Sequence, residues 1–561
     1  MFLTIDKHMA KTFLVGVIGI FVIFSSCHSS QSPQTDAPDI LITNAKIWSD
    51  SKILQEDAIA IKGNKISKLA TTQELLKTKS DKTRVVDAQH KLVTPGFIDT
   101  HVHFLMGGAG LSSVQLRDAA TKQEFIKRIK EFALKQGKGT WITGGDWNHE
   151  NWGGEMPQAS WIDSVTQYNP ISLNRLDGHL ILVNSLGMKI AGVDDKTKDV
   201  EGGSIERNNR HQPTGIFKDN AQDLIFNKMP ADDEARENKS LQAAMQYVAS
   251  HGVTSVQHMG TFQDLKVFRR NRDSLITRVY SATPLAQWDS LKMYIKANGT
   301  GDEMLRWGIV KGFMDGALGS HTAAMINDFS DKKGDKGFFI NPPDSMKKWI
   351  LAADKENLKI AIHAIGDRAI HTLLGIFDTT VKVNGAKDRR WKIEHFQHPT
   401  MDDIKRIHSL AVIASMQPYH AIDDGCWAEK VLGKERIKTT YAFKSILDNH
   451  GMLTFGSDWF VAPPIPLLGI YAAITRQTID GKNPAGWVPE QKISIDDALM
   501  AYTHNAAYSE FADDKLGSIK MGYLADLAIL DQDIFTIEHV LIKDVKVNMT
   551  IMNGQIVFER K

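Results

Sequence analysis

The feature that limits the possible folds of this 561-residue chain most is a set of short apolar runs, each leading to a possible metal ligand. The run 92–98 leads to His101 and His103, which are separated by one residue. Alternate residues of a strand point to the same face, so the two imidazoles project together. Neutral imidazoles are good ligands for zinc. Such a pair also occurs on half-exposed strands that bind nothing. The other apolar runs are therefore needed to decide whether this pair belongs to a metal site.

Four further apolar runs have the same design. They lead to Lys311, His363, His395 and Asp458. The segments 365–377 and 401–410 have helical periodicity, and strands that alternate with helices indicate a parallel sheet. In a (β/α)8 barrel the functional residues collect at the C-terminal ends of the strands. The predicted fold class is therefore α/β, with a (β/α)8 TIM-like barrel.

The interval between His103 and Lys311 is too long for strand–helix units of about 30 residues. An insert of roughly a hundred residues is therefore expected between the first and fourth strands. We place it at about 141–235, where tryptophan, glycine and asparagine are frequent, and interpret it as a lid or pocket wall. The segment before Arg175 is predicted to be the second barrel strand, and the segment before His258 the third.

Both ends of the chain are rich in strand and turn signals. The segments 39–93 and 516–561 are expected to pack together as one small β-sandwich domain beside the barrel, which occupies 94–515. Hydrophobic residues make up 42% of the chain and charged residues 24%, close to the averages of soluble globular proteins. The formal net charge is +1 and no basic cluster is present, which argues against a nucleic-acid partner.

Several motifs of the chain resemble those of one known family. The matching segments are 39–48, 58–66, 85–88, 94–103, 311–323, 363–369 and 517–530. With these motifs the chain is similar to the amidohydrolase superfamily, in particular to its amidohydrolase 3 group, which includes YtcJ-like proteins and N-substituted formamide deformylases. The resemblance covers nearly everything after about residue 38. It implies a metal-dependent hydrolase that acts on a carbon–nitrogen bond, other than a peptide bond, in a small amide-type substrate.

The resemblance also implies how the metals are held. His101 and His103 correspond to ligands of a first metal ion, and His363 and His395 to ligands of a second. Lys311 corresponds to a lysine that is carboxylated and bridges two metals, expected here to be Zn²⁺. The histidine and carboxylate ligands suit zinc, but iron, manganese and nickel are not excluded.

The chemistry of two further groups can be argued from the residues. A lysine ammonium has no lone pair for a metal, whereas its carbamate is an anion with two oxygens. The alternative is that Lys311 caps the site or pairs with Asp315, with one metal bound. Asp458 corresponds to a metal ligand and general base. It would accept a proton from a metal-activated water, which becomes the attacking hydroxide, and would deliver this proton to the leaving nitrogen. Its alternative is a structural aspartate in a turn.

Two alternatives to an amidase stay open at this point. The same metal centre could belong to a lactonase or an imidohydrolase, and the chain could also be a catalytically silent metal-binding protein. The presence of all six ligand types argues against the silent protein. The sequence does not name a substrate, because specificity on such a fold depends on loops.

Other polar residues are predicted to lie near the metals. His321, in the loop after the fourth strand, is expected to act in catalysis by binding the oxygen of the tetrahedral intermediate, or else to be an ordinary surface histidine. Arg175 and His179 resemble a feature of the group near the substrate pocket, although an ion pair within a loop explains them equally well. His398 and His420 are interpreted as surface or loop residues.

The N-terminal segment has the pattern of a bacterial lipoprotein signal. Basic residues precede the apolar run 13–24, which is too short to cross a bilayer and fits a signal peptide. Small residues then lead to Cys27, the expected lipidation site, so that 1–26 would be removed and 27–38 would form a tether. The alternatives are a plain secretory signal and an uncleaved anchor. We therefore expect an exported protein held at a membrane by a lipid, with Cys426 as its only other cysteine and no intramolecular disulfide.

Overall fold

The structure, a computed structural model, describes residues 37–230 and 233–561. The predicted signal peptide 1–26 and Cys27 lie outside the described residues, as does most of the predicted tether 27–38. Within the described ranges, no helix combines the length and the apolar character that are needed to cross a membrane.

Eight parallel strands form a barrel in which each strand is hydrogen-bonded to the next. They are β1 Phe97–Val102, β2 Val253–His258, β3 Arg278–Pro284, β4 Leu305–Phe313, β5 Lys359–Ala364, β6 Lys392–His395, β7 Ile413–Met416 and β8 Met452–Phe455. The barrel closes between β8 and β1, where the Asp458 amide donates to the His101 carbonyl at 2.7 Å and Val102 pairs with Trp459. The predicted α/β barrel is confirmed.

Helices between the strands cover the outside of the barrel. Those from β2 to β7 are Glu234–Ala249, which precedes β2, and then Phe262–Arg270, Trp288–Asn298, Pro343–Lys355, Asp367–Asn384 and Met401–Ser409. Those that follow β7 and β8 are Pro418–Asp424, Ala428–Leu432, Phe443–Asp448, Pro466–Thr475, Ile495–Tyr502 and His504–Ser509. The helices expected at 365–377 and 401–410 are both present. The second begins after Thr400, whose side chain accepts a hydrogen bond from the Asp403 amide, a common N-terminal cap.

A long insert separates β1 from β2. Its helices are Phe104–Gly110, Lys122–Ala133, Ala159–Ile162, Ser185–Ala191 and Asp223–Phe226. It also has its own five-stranded sheet, with the strands Ile142–Trp147, Ile171–Arg175, Leu180–Val183, Gly203–Arg207 and Pro213–Asp219. The prediction that Arg175 ends the second barrel strand and His258 the third is therefore wrong, since His258 ends β2. Periodicity predicts a strand but not the sheet that it joins, because either sheet buries the apolar side chains equally well.

The two ends of the chain form two further sheets. The first contains Ile40–Thr43, Ala58–Lys62, Lys65–Ala70 and Arg84–Asp87, with the short helix Thr72–Leu75 beside it. The second combines Lys46–Ser49, Lys52–Ile53 and Leu92–Pro95 with Leu527–Leu530, Val547–Met552 and Gln555–Glu559. Apolar side chains of both sheets, such as Ile59 and Ile529, pack in one core. The expected β-sandwich built from both chain ends is thus part of the fold.

Candidate metal centre

A cavity of about 210 Å³ opens at the C-terminal ends of the barrel strands. All six predicted metal ligands line it, namely His101, His103, Lys311, His363, His395 and Asp458. These residues lie on or directly after β1, β4, β5, β6 and β8. Parallel strands of a barrel end at the same rim, so residues far apart in the sequence meet there.

Three of the six residues form the tightest group. The ligand atoms of His101, His395 and Asp458 all lie within 4.8 Å of one another. One carboxylate oxygen, Oδ1 of Asp458, is 3.3 Å from Nε2 of His101 and 3.4 Å from Nε2 of His103. Nitrogen and oxygen lone pairs from β1, from β6 and from the loop after β8 therefore converge on one small volume.

Left-handed backbone at two strand ends accompanies this convergence. His395 has a φ of 72° and Asp458 a φ of 58°, which few residues other than glycine adopt. Neighbours in a regular strand point to opposite faces, yet Glu394 and His395 both reach His101. The Glu394 carboxylate is 2.8 Å from Nδ1 of His101, and the ring centroids of His101 and His395 are 4.9 Å apart. Backbone strain of this kind collects at functional sites.

Burial keeps three histidines of this centre, His101, His363 and His395, neutral. It lowers the pKa of His101 to about 4 and lowers the pKa values of His363 and His395 well below the usual value. Burial alone would raise the pKa of Asp458, but the imidazoles of His101 and His103 outweigh it and hold that pKa well below its usual range. The centre therefore presents neutral imidazoles and an anionic carboxylate.

This set of donors fits a divalent metal ion. Neutral imidazole nitrogens and carboxylate oxygens are usual ligands of zinc and similar cations. Within the described part of the chain, the buried Nδ1 of His395 has no hydrogen-bond partner. A buried polar atom without a partner is costly, and a bound ion at this group would satisfy such atoms.

Lys311 is buried beside the same group. Its Nζ lies 3.1 Å from Nε2 of His101, and burial lowers its pKa to about 8. A lower pKa increases the fraction of neutral amine, which is the form that reacts with carbon dioxide. Asp315, the alternative partner, instead accepts three backbone hydrogen bonds of 2.8–3.0 Å from the loops after β4 and β5. The alternative in which Lys311 pairs with Asp315 is therefore wrong.

One residue of this centre, Glu394, is not predicted from the sequence. Glu394 is fully buried, and its two oxygens lie 2.8 Å from Nδ1 of His101 and 2.8 Å from Nζ of Lys392. Lys392 also donates to Gln257 at 2.6 Å, which holds the charged pair in place. A carboxylate on one ring nitrogen orients the imidazole so that the other nitrogen faces the metal. The signal that could have indicated this residue is the presence of two charged residues, Lys392 and Glu394, at alternate positions of a short apolar strand.

His363 lies at the edge of the group. Its ring centroid is 4.5 Å from that of His395 and 5.2 Å from that of His179. Its Nε2 is 3.0 Å from the carbonyl oxygen of Gly316, in the loop after β4. His363 therefore borders both the metal group and the part of the cavity that the insert lines.

The insert contributes a second wall of the cavity. His179 lines it, and its Nδ1 is 2.5 Å from Oδ1 of the buried Asp219. Burial acts to lower the pKa of His179, but Asp219 outweighs it and raises this pKa to about 8. Arg175 also lines the cavity, is buried, and donates to Asp177 and, at 3.3 Å, to His149. Both predicted substrate-binding residues lie at the cavity, and Arg175 also makes the ion pair of the alternative interpretation.

The positions of three further histidines differ, wholly or in part, from the predictions. His321 is absent from the described residues that line the cavity, and its Nε2 is 3.0 Å from Asp331 in its own loop. This position contradicts its predicted contact with a reaction intermediate. His398 is only 3% exposed, and His420 lines the cavity with its ring stacked on that of His395 at 6.4 Å. His398 is thus a loop residue, as predicted, but a buried one, and His420 is a half-buried residue of the helix Pro418–Asp424 rather than of a loop.

Comparison with known proteins gives extended matches. A model described as "Amidohydrolase family" matches residues 84–558. The chain is 38% identical to Protein LONG AFTER FAR-RED 3 of Arabidopsis thaliana, over 90% of this chain and 89% of that protein. It is 27% identical to the putative amidohydrolase YtcJ of Bacillus subtilis, over 87% and 93% of the two chains. It is 24% identical to N-substituted formamide deformylase of Arthrobacter pascens, over 94% and 99%.

Solved structures share the architecture. An uncharacterised metal-dependent hydrolase from Pyrococcus furiosus is 26% identical, with a TM-score of 0.69 over 88% of this chain and 99% of that one. A second such hydrolase, from Pyrococcus horikoshii OT3, is 24% identical, with a TM-score of 0.72 over 89% and 99%. The matches cover nearly the whole length of both structures.

Proposed function

This chain belongs to the amidohydrolase family of metal-dependent hydrolases, and on that basis we propose that it hydrolyses a carbon–nitrogen bond in a small amide-type substrate. The observation that carries the proposal is the position of Asp458, whose Oδ1 lies within 3.4 Å of both His101 and His103. This position places a proton acceptor inside the metal group. An amine leaves only after protonation, so a residue that accepts a proton and returns it matters more for amides than for esters.

The residues of the chain support a simple reaction sequence. When bound, a divalent metal supplies a polarised substrate carbonyl and a water of lowered pKa. Asp458 accepts a proton from the attacking water as the water oxygen bonds to the carbonyl carbon. The same carboxyl then delivers that proton to the nitrogen as the carbon–nitrogen bond breaks, which leaves a carboxylic acid and an amine. Glu394 accepts the Nδ1 hydrogen of His101 and keeps its Nε2 towards Asp458.

We propose two zinc ions in this centre, bridged by carboxylated Lys311. The proposed ligands are His101, His103 and Asp458 for the first ion and His363 and His395 for the second. The position of Lys311 supports the carbamate, because an ammonium 3.1 Å from Nε2 of His101 would repel any metal bound there. Elemental analysis of the purified protein for zinc, iron, manganese and nickel tests the metal. Electron density for a plain lysine amine, with one ion per chain, would contradict the two-metal centre.

One relative is named an N-substituted formamide deformylase, so N-formyl and N-acyl amides are the first compounds to test. We propose that Arg175 and His179, which line the cavity from the insert, bind the substrate. The same centre could open a lactone or a cyclic imide.

A substrate panel distinguishes these alternatives. The zinc-loaded full chain is assayed at equal concentrations of open-chain amides, cyclic imides and lactones. We expect kcat/KM for an open-chain amide to exceed that for the lactones at least about tenfold. Faster lactone or imide opening would favour the corresponding hydrolase. Stoichiometric metal without turnover of any compound would favour a silent binding protein.

We further propose that the protein is exported and anchored through lipidated Cys27. The signal-like segment 1–26 and the polar segment 27–38, directly before the strand Ile40–Thr43, support this. Labelling with an alkyne fatty acid during bacterial expression tests it, with Cys27→Ser as the matched control. Only the parent chain is expected to incorporate the fatty acid and to fractionate with the membranes. Equal labelling of the two chains would contradict the anchor.

A further inference from the structure

A second cavity adjoins the candidate active site. Its volume is about 410 Å³, whereas that of the catalytic cavity is about 210 Å³. Leu176 of the insert and Asp423 of the helix Pro418–Asp424 line both cavities. The two spaces are therefore the two sides of one shared wall.

Side-chain contacts form part of this wall. Arg117 of the insert has its Nη2 3.3 Å from Oδ2 of Asp423. Its Nη1 donates to the carbonyl of Val461, which lines the catalytic cavity. Neighbouring residues of one helix face opposite sides, since Tyr419 lines the second cavity and His420 the catalytic one. A substrate that displaces or passes these side chains would reach both spaces.

The second cavity is lined by uncharged polar side chains and by charged side chains that are already paired. Its uncharged polar side chains are Asn148, Asn151 and Tyr419. Of its charged side chains, Arg117 pairs with Asp423 at 3.3 Å and Asp118 pairs with Arg128 at 2.6 Å. A charged ligand would have to compete with one of these ion pairs, whereas a neutral group would compete only with hydrogen bonds between uncharged groups, such as the one from Nδ2 of Asn151 to the carbonyl of Arg117 at 2.9 Å.

We propose that the second cavity is a subsite for a neutral, hydrogen-bonding arm of the substrate, such as a second amide, while the scissile amide occupies the catalytic cavity. The inference rests on the proposed hydrolysis of amides and restricts its substrates to extended molecules with two neutral polar groups. The second cavity lies beyond the wall, so a compact monoamide would use only the catalytic cavity. Leu176, which faces both spaces, is suited to contact the apolar linker between the two groups.

A series of matched compounds tests this subsite. N,N′-diacetyl diaminoalkanes of increasing linker length are compared with N-alkylacetamides of the same length, with the zinc-loaded full chain. Calorimetric Kd and kcat/KM are both measured. The bis-amide is expected to bind and react about tenfold better than its monoamide once the linker is long enough to cross the wall, because of the hydrogen bonds of the second amide.

One variant blocks the second cavity without reaching the catalytic one. Ala120 is exposed and lines only the second of these two cavities, so Ala120→Trp fills that space. Leu134→Trp is the matched control, since Leu134 is 76% exposed and lines neither cavity. Ala120→Trp is expected to remove the advantage of the bis-amide and to leave the monoamide unchanged. Leu134→Trp is expected to change neither compound.

The outcomes separate this inference from the function on which it rests. No advantage for the bis-amide at any linker length would overturn the subsite. An equal loss for bis-amide and monoamide in Ala120→Trp would overturn it too. A length-dependent gain in binding that Ala120→Trp abolishes, without hydrolysis of any compound, would support the subsite and contradict the proposed hydrolysis.

Discussion

The two walls of the catalytic cavity are built in different ways. The metal side comes from strands of one closed sheet, so hydrogen-bonded register fixes residues such as His101 and His395 relative to one another. The opposite side comes from the five-stranded sheet of the insert, which has apolar cores of its own and carries Arg175. Its position depends on packing against the barrel. We therefore expect the reaction chemistry to depend on the barrel wall and substrate choice on the insert wall.

Close contacts hold the insert against the barrel. A Cβ atom on Gly319, in the loop after β4, would lie 2.7 Å from the guanidinium of Arg175, so the glycine permits this approach. Gly178 of the insert has a φ of 73°, and a Cβ there would lie 3.0 Å from Phe460. The insert wall is thus fitted to the barrel loops at positions where a larger side chain would displace it.

The largest effect is expected from Asp458→Asn, on the barrel wall. The amide keeps the size of the side chain and one ligand oxygen but cannot carry the proton, so kcat should fall about 10³-fold. Steady-state kinetics and elemental analysis of the same sample measure activity and metal content. Activity within tenfold of the parent enzyme would exclude Asp458 as the proton carrier.

The next effect is expected from Glu394→Gln, behind the same wall. In this variant a neutral amide contacts Nδ1 of His101 in place of the carboxylate. The loss of such an orienting carboxylate should weaken zinc binding about 10- to 100-fold. Competition with a chromogenic chelator measures the affinity. Ser113→Ala, at a half-buried position of the insert, serves as the control. An unchanged affinity would mean that register alone orients His101.

A smaller effect of a different kind is expected on the insert wall. His179→Gln and Asp219→Asn remove one hydrogen-bonding group or the carboxylate that holds it, so KM for an amide should rise about tenfold. The metal content should stay the same, because His179 is outside the metal group. Kinetics and elemental analysis report the two quantities separately. A parallel loss of metal would make His179 a ligand and would end the division between the walls.

The smallest effect is expected from His321→Gln. The Nε2 of this side chain bonds Asp331 in its own loop, away from the cavity lining, so kcat/KM should stay within about twofold. The same assay as for His179→Gln provides the comparison. A loss as large as that of His179→Gln would restore the role that the sequence predicts for His321.

The sequence by itself determined the barrel and the set of strand-end residues. Lys311, His363 and Asp458 each follow an apolar run, and this local pattern is enough because parallel strands of a barrel must end at one rim. The β-sandwich followed from strand and turn signals at both ends. The number of residues between His103 and Lys311 predicted the insert but not its separate sheet. The residue pattern of a strand such as Ile171–Arg175 does not indicate which strand it pairs with.

The tertiary structure alone decided which polar groups meet. Glu394 contacts His101 across the barrel, His179 pairs with Asp219 from another strand of the insert, and His321 turns to Asp331. These contacts depend on strand register, on left-handed backbone such as that at His395, and on the packing of one sheet against another. Local residue patterns predict strands and helices because they reflect burial along the chain. They do not predict contacts between distant side chains, which small shifts in register or packing make or break.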